Sequence, residues 1–392
     1  MDALDQIFVL LKHTVVSWFP APAQPWISAV LSIGAILAVF PMIFALTTVI
    51  ERKALGRIQN RPGPNRVGPA GFLQFAADGI KSLTKEDIVP RAADAIVHFL
   101  APLVVAVPPL LAMAVLPVGR NMVALDLPET GLLFFLMVGT AVELGVFMAG
   151  WSSHNKYSLL GAMRALAQLL SYELPLLLST ISVVMLTGSL SLSAIIAQQA
   201  GVHAGVFLGW NVFTPWGAIG AVLFFIAALA EANRSPFDLP EAESEIVAGY
   251  FTEYSGFKFA LFFLGEYLGL FAVSGLGITL FLGGWLPPLT FLSWIPSWLW
   301  FFGKLAALMG IFIWLRGTLP RLRMDQLMRF AWQFLLPMSL INLLVAALWQ
   351  YSSPWPYLLR WIPALVLFGV PYFLYHRAFL RRHPPRTYRY AA

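Results

Sequence analysis

The stretch FALFFLGEYLGLFAVSGLGITLF, Phe259 to Phe281, decides the fold. It exceeds the roughly 20 apolar residues that a helix needs to cross the hydrocarbon of a bilayer. Glu266 is its single charged side chain. A carboxylate in hydrocarbon is costly unless it is hydrated, paired or protonated. The pattern recurs upstream, with Glu143 in GLLFFLMVGTAVELGVFMAG (131–150) and Glu173 in the apolar run 161–187. A chain that repeats so expensive a placement is expected to handle protons or ions inside a membrane.

The surrounding composition agrees. The chain has 392 residues, of which 59% are hydrophobic and 11% charged. Its mean hydropathy is +0.76, far above that of a soluble globular domain. Further apolar segments predict nine spans, at 27–50, 96–117, 131–150, 161–187, 217–232, 256–283, 303–317, 332–350 and 361–376. The expected fold class is therefore all-α, a polytopic transmembrane helix bundle, organised as one membrane domain over 1–392. Its core covers about 25–350, and 351–392 form a C-terminal extension with an extra span. The Trp- and Pro-rich stretch 285–302 reads as an interfacial belt rather than a tenth span.

Nine spans place the termini on opposite faces. Of the 25 Lys and Arg residues, all but Lys12, Arg120, Lys304 and Arg360 then fall on one side. The positive-inside rule assigns that side to the cytoplasm, with the N-terminus outside and the C-terminus inside. The N-terminus opens with acids rather than the positive charge of a cleaved signal, so the first span is expected to be retained.

One segment is amphipathic instead of apolar. In FLQFAADGIKSLTKE (72–86), Phe72, Phe75, Ala76, Gly79, Ile80 and Leu83 share one helical face, and Gln74, Asp78, Lys81, Ser82 and Lys85 the other. This predicts a short helix lying at the cytoplasmic boundary.

Three constellations carry candidate chemistry. By distance from the basic face, Glu143, Glu173 and Glu266 all lie roughly 10–15 Å deep at 1.5 Å per helical residue. Glu231 closes its own span. Acids at one depth on different helices predict a lateral file within the membrane. Tyr172 and Tyr267 adjoin two of them and are candidate relay groups. The bland reading is that each acid only hydrogen-bonds a neighbouring helix. The second constellation is the loop EANRSPFDLPEAESEIVAGYFTEYS (231–255), where Glu231, Asp238, Glu241, Glu243, Glu245 and Glu253 face only Arg234. Apolar Phe237, Leu239, Ile246, Val247, Phe251 and Tyr254 are interleaved with the acids, so the loop is expected to be folded at a protein contact rather than freely solvated. The third is ERKALGRIQNRPGPNRVGP (51–69), basic and stiffened by three prolines. Its composition fits a lipid-headgroup clamp and a docking surface equally well.

Other classes are excluded. The chain has no cysteine, so thiolate metal sites and Cys-ligated iron–sulfur clusters are ruled out. No nucleotide-binding glycine motif or HExxH occurs, and the histidines lack paired ligand spacing. Nothing suits flavin or haem, and the basic balance reflects topology rather than nucleic acid.

Two stretches are specific enough to name a family. ERKALGRIQNRPGPNRVGPAGFLQFAADGIKSLTKED (51–87) and EANRSPFDLPEAESEIVAGYFTEYSGFKFALFFLGEY (231–267) resemble the signature regions of the H subunit of proton-pumping NADH:quinone oxidoreductase, respiratory complex I. The resemblance covers about residues 25–350. It implies a position between the peripheral electron-transfer arm and the membrane arm, with quinone (ubiquinone or menaquinone) as substrate. The implied partners are peripheral iron–sulfur and quinone-site subunits, small membrane subunits leading to the antiporter-like subunits, and lipid. Arg52, Asp78, Arg234 and Phe237 are implied at the quinone chamber. Asp238, Glu241, Glu243, Glu245 and Glu253 belong to the acidic coupling loop, and Glu143, Glu173, Glu231 and Glu266 to the proton path. A bacterial plasma membrane is the expected location. Rival readings are an independent cation transporter, a membrane subunit of a hydrogenase-type complex, and a passive anchor.

Overall fold

The computed structural model describes residues 5–203, 207–238, 248–289, 292–352, 355–357 and 359–382. Glu241, Glu243 and Glu245 of the acidic loop lie outside the described residues. Among the described residues, twelve helices account for nearly all of the regular structure, namely α1 (Ile7–Ser17), α2 (Gln24–Ile58), α3 (Gln74–Thr84), α4 (Ala95–Val115), α5 (Gly131–Ser152), α6 (Lys156–Thr187), α7 (Leu192–Gln198), α8 (Pro215–Glu231), α9 (Gly256–Phe281), α10 (Ser297–Thr318), α11 (Met324–Tyr351) and α12 (Trp361–Arg382). The only β ladder among the described residues pairs Val202–His203 with Phe207–Leu208.

Seven of these helices are long and apolar enough to cross a membrane: α2, α4, α5, α6, α9, α10 and α11. The span expected at 217–232 is α8, a shorter apolar helix of 17 residues that starts at Pro215 and is capped by the Thr214 hydroxyl on the Gly217 N–H. The ninth, α12, runs further than expected, to Arg382.

Two boundaries differ from the sequence reading in ways that matter. The first span does not stop at residue 50. With no Pro or Gly between Pro41 and Gly56, α2 carries on through the charged ERKALGRI segment and ends where Asn60 takes a left-handed φ of 54°. Its 35 residues reach roughly 50 Å, well beyond the hydrocarbon thickness. α10 begins at Ser297, directly after Pro296, so Trp298 and Trp300 belong to the first turns of a span and not to a separate belt.

The core lies between α4, α5, α6, α8 and α9. Small residues let these helices approach closely, the packing mode that lipid favours. Val105 of α4 wedges between two glycines: a Cβ on Gly145 would sit 2.6 Å from Val105 Cγ2, and one on Gly265 would sit 2.8 Å from Cγ1. The second contact fixes α9 one residue before Glu266. In α11 a π-helical turn, Ala331–Leu335, precedes Pro337, a common accommodation of a residue that cannot donate its backbone hydrogen bond.

α3 has the predicted amphipathic character. Ile80 and Leu83 of its apolar face are turned outward, while Gln74 and Asp78 are half-buried. Lys304, near the start of α10, is drawn inward, where it donates to the carbonyls of Leu282 (2.7 Å), Gly284 (2.8 Å) and Leu286 (2.8 Å) just beyond the end of α9. Its ammonium also lies 4.1 Å from the Trp210 ring centroid.

Candidate functional site

Two cavities lie on either side of α9. The larger, of about 630 Å³, is bounded by α2, α3 and the first turns of α9. Phe44, Phe75, Phe259 and Phe263 supply apolar walls, and the polar face of α3 contributes Asp78, Lys81 and Lys85. Arg52 pairs with Asp78 at 2.5 Å, and Gln74 donates to the other Asp78 oxygen at 3.0 Å. Tyr254 also lines this chamber. Burial pushes its hydroxyl up to about 12 against a weaker lowering by the Ser152 hydrogen bond, so it stays protonated as a neutral group.

At the inner wall stands Glu51, only 5% exposed. Arg316 of α10 pairs with its Oε1, Arg234 approaches the same oxygen at 3.5 Å, and the Tyr267 hydroxyl donates to Oε2 at 2.6 Å. The Arg234 guanidinium also lies over the Tyr267 ring, 4.0 Å from its centroid. A buried carboxylate is tolerable when such partners satisfy it. Sequence reasoning ended the first span before Glu51 and so missed this centre, along with Arg316. The usable signal was the absence of any helix breaker between the apolar run and ERK.

The smaller cavity offers about 80 Å³ and is lined together by Glu143 of α5, Glu173 of α6, Glu231 at the end of α8 and Glu266 of α9. Four helices thus present one acid each to a single space, which suffices for a few waters at about 10–15 Å³ apiece. The Tyr250 hydroxyl donates to Glu266 Oε1 at 2.8 Å. The tyrosines singled out from adjacency point elsewhere: Tyr172 donates to the Leu327 carbonyl at 3.0 Å, and Tyr267 serves Glu51. Adjacent residues on a helix are about 100° apart in direction, so sequence adjacency to an acid is poor evidence of contact with it.

Of the other anticipated residues, Arg52, Asp78 and Arg234 line the chamber, whereas Phe237 lines neither cavity. Phe237 packs between Tyr172 (ring centroids 5.2 Å apart) and Phe330 (6.5 Å), and its carbonyl accepts from Gln168 at 2.7 Å. Asp238 pairs with Arg321 at 2.7 Å, and Glu253 accepts from Asn155 at 2.6 Å. The described ends of the acidic loop are therefore both tied to the bundle.

The family model for NADH dehydrogenase matches residues 31–347. The NADH-quinone oxidoreductase H subunit of Dehalococcoides mccartyi is 51% identical over 298 residues, covering 76% of this chain and 80% of the relative. The H subunit of Bacillus cytotoxicus is 48% identical over 317 residues, with 80% and 92% covered. That of Geobacillus kaustophilus is 46% identical over 328 residues, with 83% and 95% covered. The chain belongs to the family of NADH-quinone oxidoreductase H subunits. The matched region contains both cavities in full and ends before α12.

Proposed function

We propose that the chain serves as the membrane subunit of NADH:quinone oxidoreductase that walls part of the quinone chamber and couples quinone reduction to proton movement. The observation that carries this reading is the arrangement of two cavities back to back across α9, one aromatic with a charged end and the other lined by four acids. Aromatic walls suit a planar quinone ring and an apolar tail, and the charged groups at the chamber end suit carbonyl oxygens that gain charge and protons on reduction. Electrons would arrive from an iron–sulfur subunit of the peripheral arm, since this chain has no cysteine to hold such a centre itself. The acidic loop and the basic segment 51–69 would meet that arm, and small membrane subunits would continue the path toward the antiporter-like subunits. A bacterial plasma membrane fits this assignment.

In this mechanism Glu51, Arg234, Arg316 and Tyr267 sense the charge change in the chamber. Glu266, next in sequence to Tyr267, lies among the acids of the second cavity. Carboxylates sharing so small a space titrate as a coupled set, so a proton gained by one is felt by the rest. The test is Glu173→Gln and Glu231→Gln in the assembled complex. Proton-coupled quinone reduction is expected to fall at least tenfold, a change of about 1.4 kcal/mol. NADH oxidation by a water-soluble artificial acceptor is expected to stay unchanged. Wild-type coupled turnover in both variants would remove the proton-path role from this cavity.

A further inference from the structure

His98, near the start of α4, is a fully buried imidazole that the mechanism above does not use, with 0% exposure. Its ring stacks on that of Tyr254, with centroids 4.0 Å apart and planes within 5°. Its Nε2 faces the backbone carbonyl of Glu253 at 3.4 Å. A carbonyl only accepts, so Nε2 carries the hydrogen, and Nδ1 is left as a buried acceptor without a partner among the described residues. An orphaned acceptor is an unfavourable feature of a core, and an apolar ring of the same shape would avoid it. The stack on Tyr254 is thus the contact that a planar ring at this position serves, with or without its nitrogens.

The ring it supports has a clear position. Tyr254 lies in the chamber wall. Phe262 meets it edge-on at 4.8 Å, and its hydroxyl is 3.2 Å from the Ser152 hydroxyl. On either side in sequence, Glu253 is held by Asn155, and Ser255 donates to the Glu86 carbonyl at 3.1 Å while accepting from the Ile88 N–H at 2.8 Å. The root of the acidic loop is thus knotted to α4, α5, α6 and the segment after α3, and Tyr254 is where that knot touches the chamber.

We infer that His98 is a positioning residue for the quinone chamber, acting through its stack on Tyr254 to fix the wall where the acidic loop returns to the bundle. This rests on the chamber reading given above. Its effect belongs to substrate fit and not to electron delivery, so it appears in KM for quinone more than in kcat.

The experiment uses membranes carrying the assembled complex with H98L, H98F, Y254L and the H98L/Y254L pair, assayed with a short-chain quinone. NADH oxidation by a water-soluble acceptor normalises for assembly. H98L, which fills the space without stacking, is expected to raise KM about fivefold with kcat within about twofold, whereas H98F, which stacks, is expected to stay within about twofold of wild type in both. In the Y254L background H98L is expected to add less than about twofold, as coupled neighbours do. A wild-type KM in H98L overturns the inference, as does an H98F defect equal to that of H98L or full additivity in the pair. Y254L with an unchanged KM overturns the chamber reading itself, and so separates the two failures.

Discussion

Glu266 and Tyr267 are consecutive on α9 yet open onto different cavities: Tyr267 holds Glu51 in the chamber, and Glu266 joins the acids behind it. Perturbing each should therefore break a different half of the process. Tyr267→Phe keeps the ring beneath Arg234 and removes only the hydroxyl donor to a charged acceptor. Quinone-linked turnover should fall roughly five- to tenfold, from the loss of a charge-assisted bond worth about 1.5–3 kcal/mol that is only partly expressed. Glu266→Gln should leave quinone affinity near wild type and lower proton uptake into sealed vesicles per NADH oxidised. The two are read side by side with a pH-sensitive dye and a quinone titration. Identical profiles would mean that the cavities are not functionally distinct.

Glu51→Gln removes the negative centre from between two arginines. Arg234 is almost wholly buried, and it would lose its paired carboxylate while remaining beside Arg316. Breaking a buried pair from one side costs about 3–5 kcal/mol, so this variant should assemble poorly. Pairing it with Arg316→Met restores the charge balance and should recover part of the lost complex. Immunodetection of the subunit in membranes measures both. Normal amounts of the single variant would show that Glu51 is not the charge that stabilises this wall.

The spans were legible because membrane helices are written as length and apolarity, and the one-acid-per-span pattern pointed to the residues that meet in the smaller cavity. Glu51 was not legible, because a charged cluster after an apolar run reads as the edge of a loop, and only the structure shows α2 carrying it inward. The same holds for the partners of Lys304, which hydropathy places at the edge of a span and tertiary packing draws against the end of α9. Tyr250 could not be chosen over Tyr172 or Tyr267, because its contact with Glu266 depends on how the short 3-10 turn Gly249–Phe251 folds back before α9. Phe237 shows the limit of transfer by motif: Arg234, three residues earlier in the signature, lines the chamber, while the Phe237 ring faces the core.

Lys304 closes the far end of α9 by a means that only its own chemistry serves. A compact ammonium with three donors meets three converging carbonyls, those of Leu282, Gly284 and Leu286. Lys304→Met should lower the stability of the detergent-solubilised complex by about 2 kcal/mol or more, as hydrogen bonds to charged groups are lost and carbonyls at a helix C-terminus are left bare. Lys304→Arg should not rescue it, because a planar guanidinium cannot occupy the same compact point. Thermal dissociation of the complex gives the comparison, and an arginine variant as stable as wild type would show that charge alone suffices.

Gly139 allows the acid-lined cavity to be tested without touching any acid. It lies in the cavity wall, and a Cβ built there would stand 4.0 Å from Glu231 Oε1, ordinary contact with no clash. Gly139→Ala should therefore be accepted, with coupled turnover within about twofold of wild type and a small gain in helix propensity. Gly139→Leu adds three more carbons to a space of about 80 Å³ and displaces most of the water that would join the carboxylates. If protons pass between these groups through water, Leu should depress coupled quinone reduction at least tenfold, about 1.4 kcal/mol, though every acid remains. Artificial-acceptor activity should hold constant across both variants. A leucine variant that pumps normally would mean that the glutamates communicate without an aqueous path, through charge or helix movement alone.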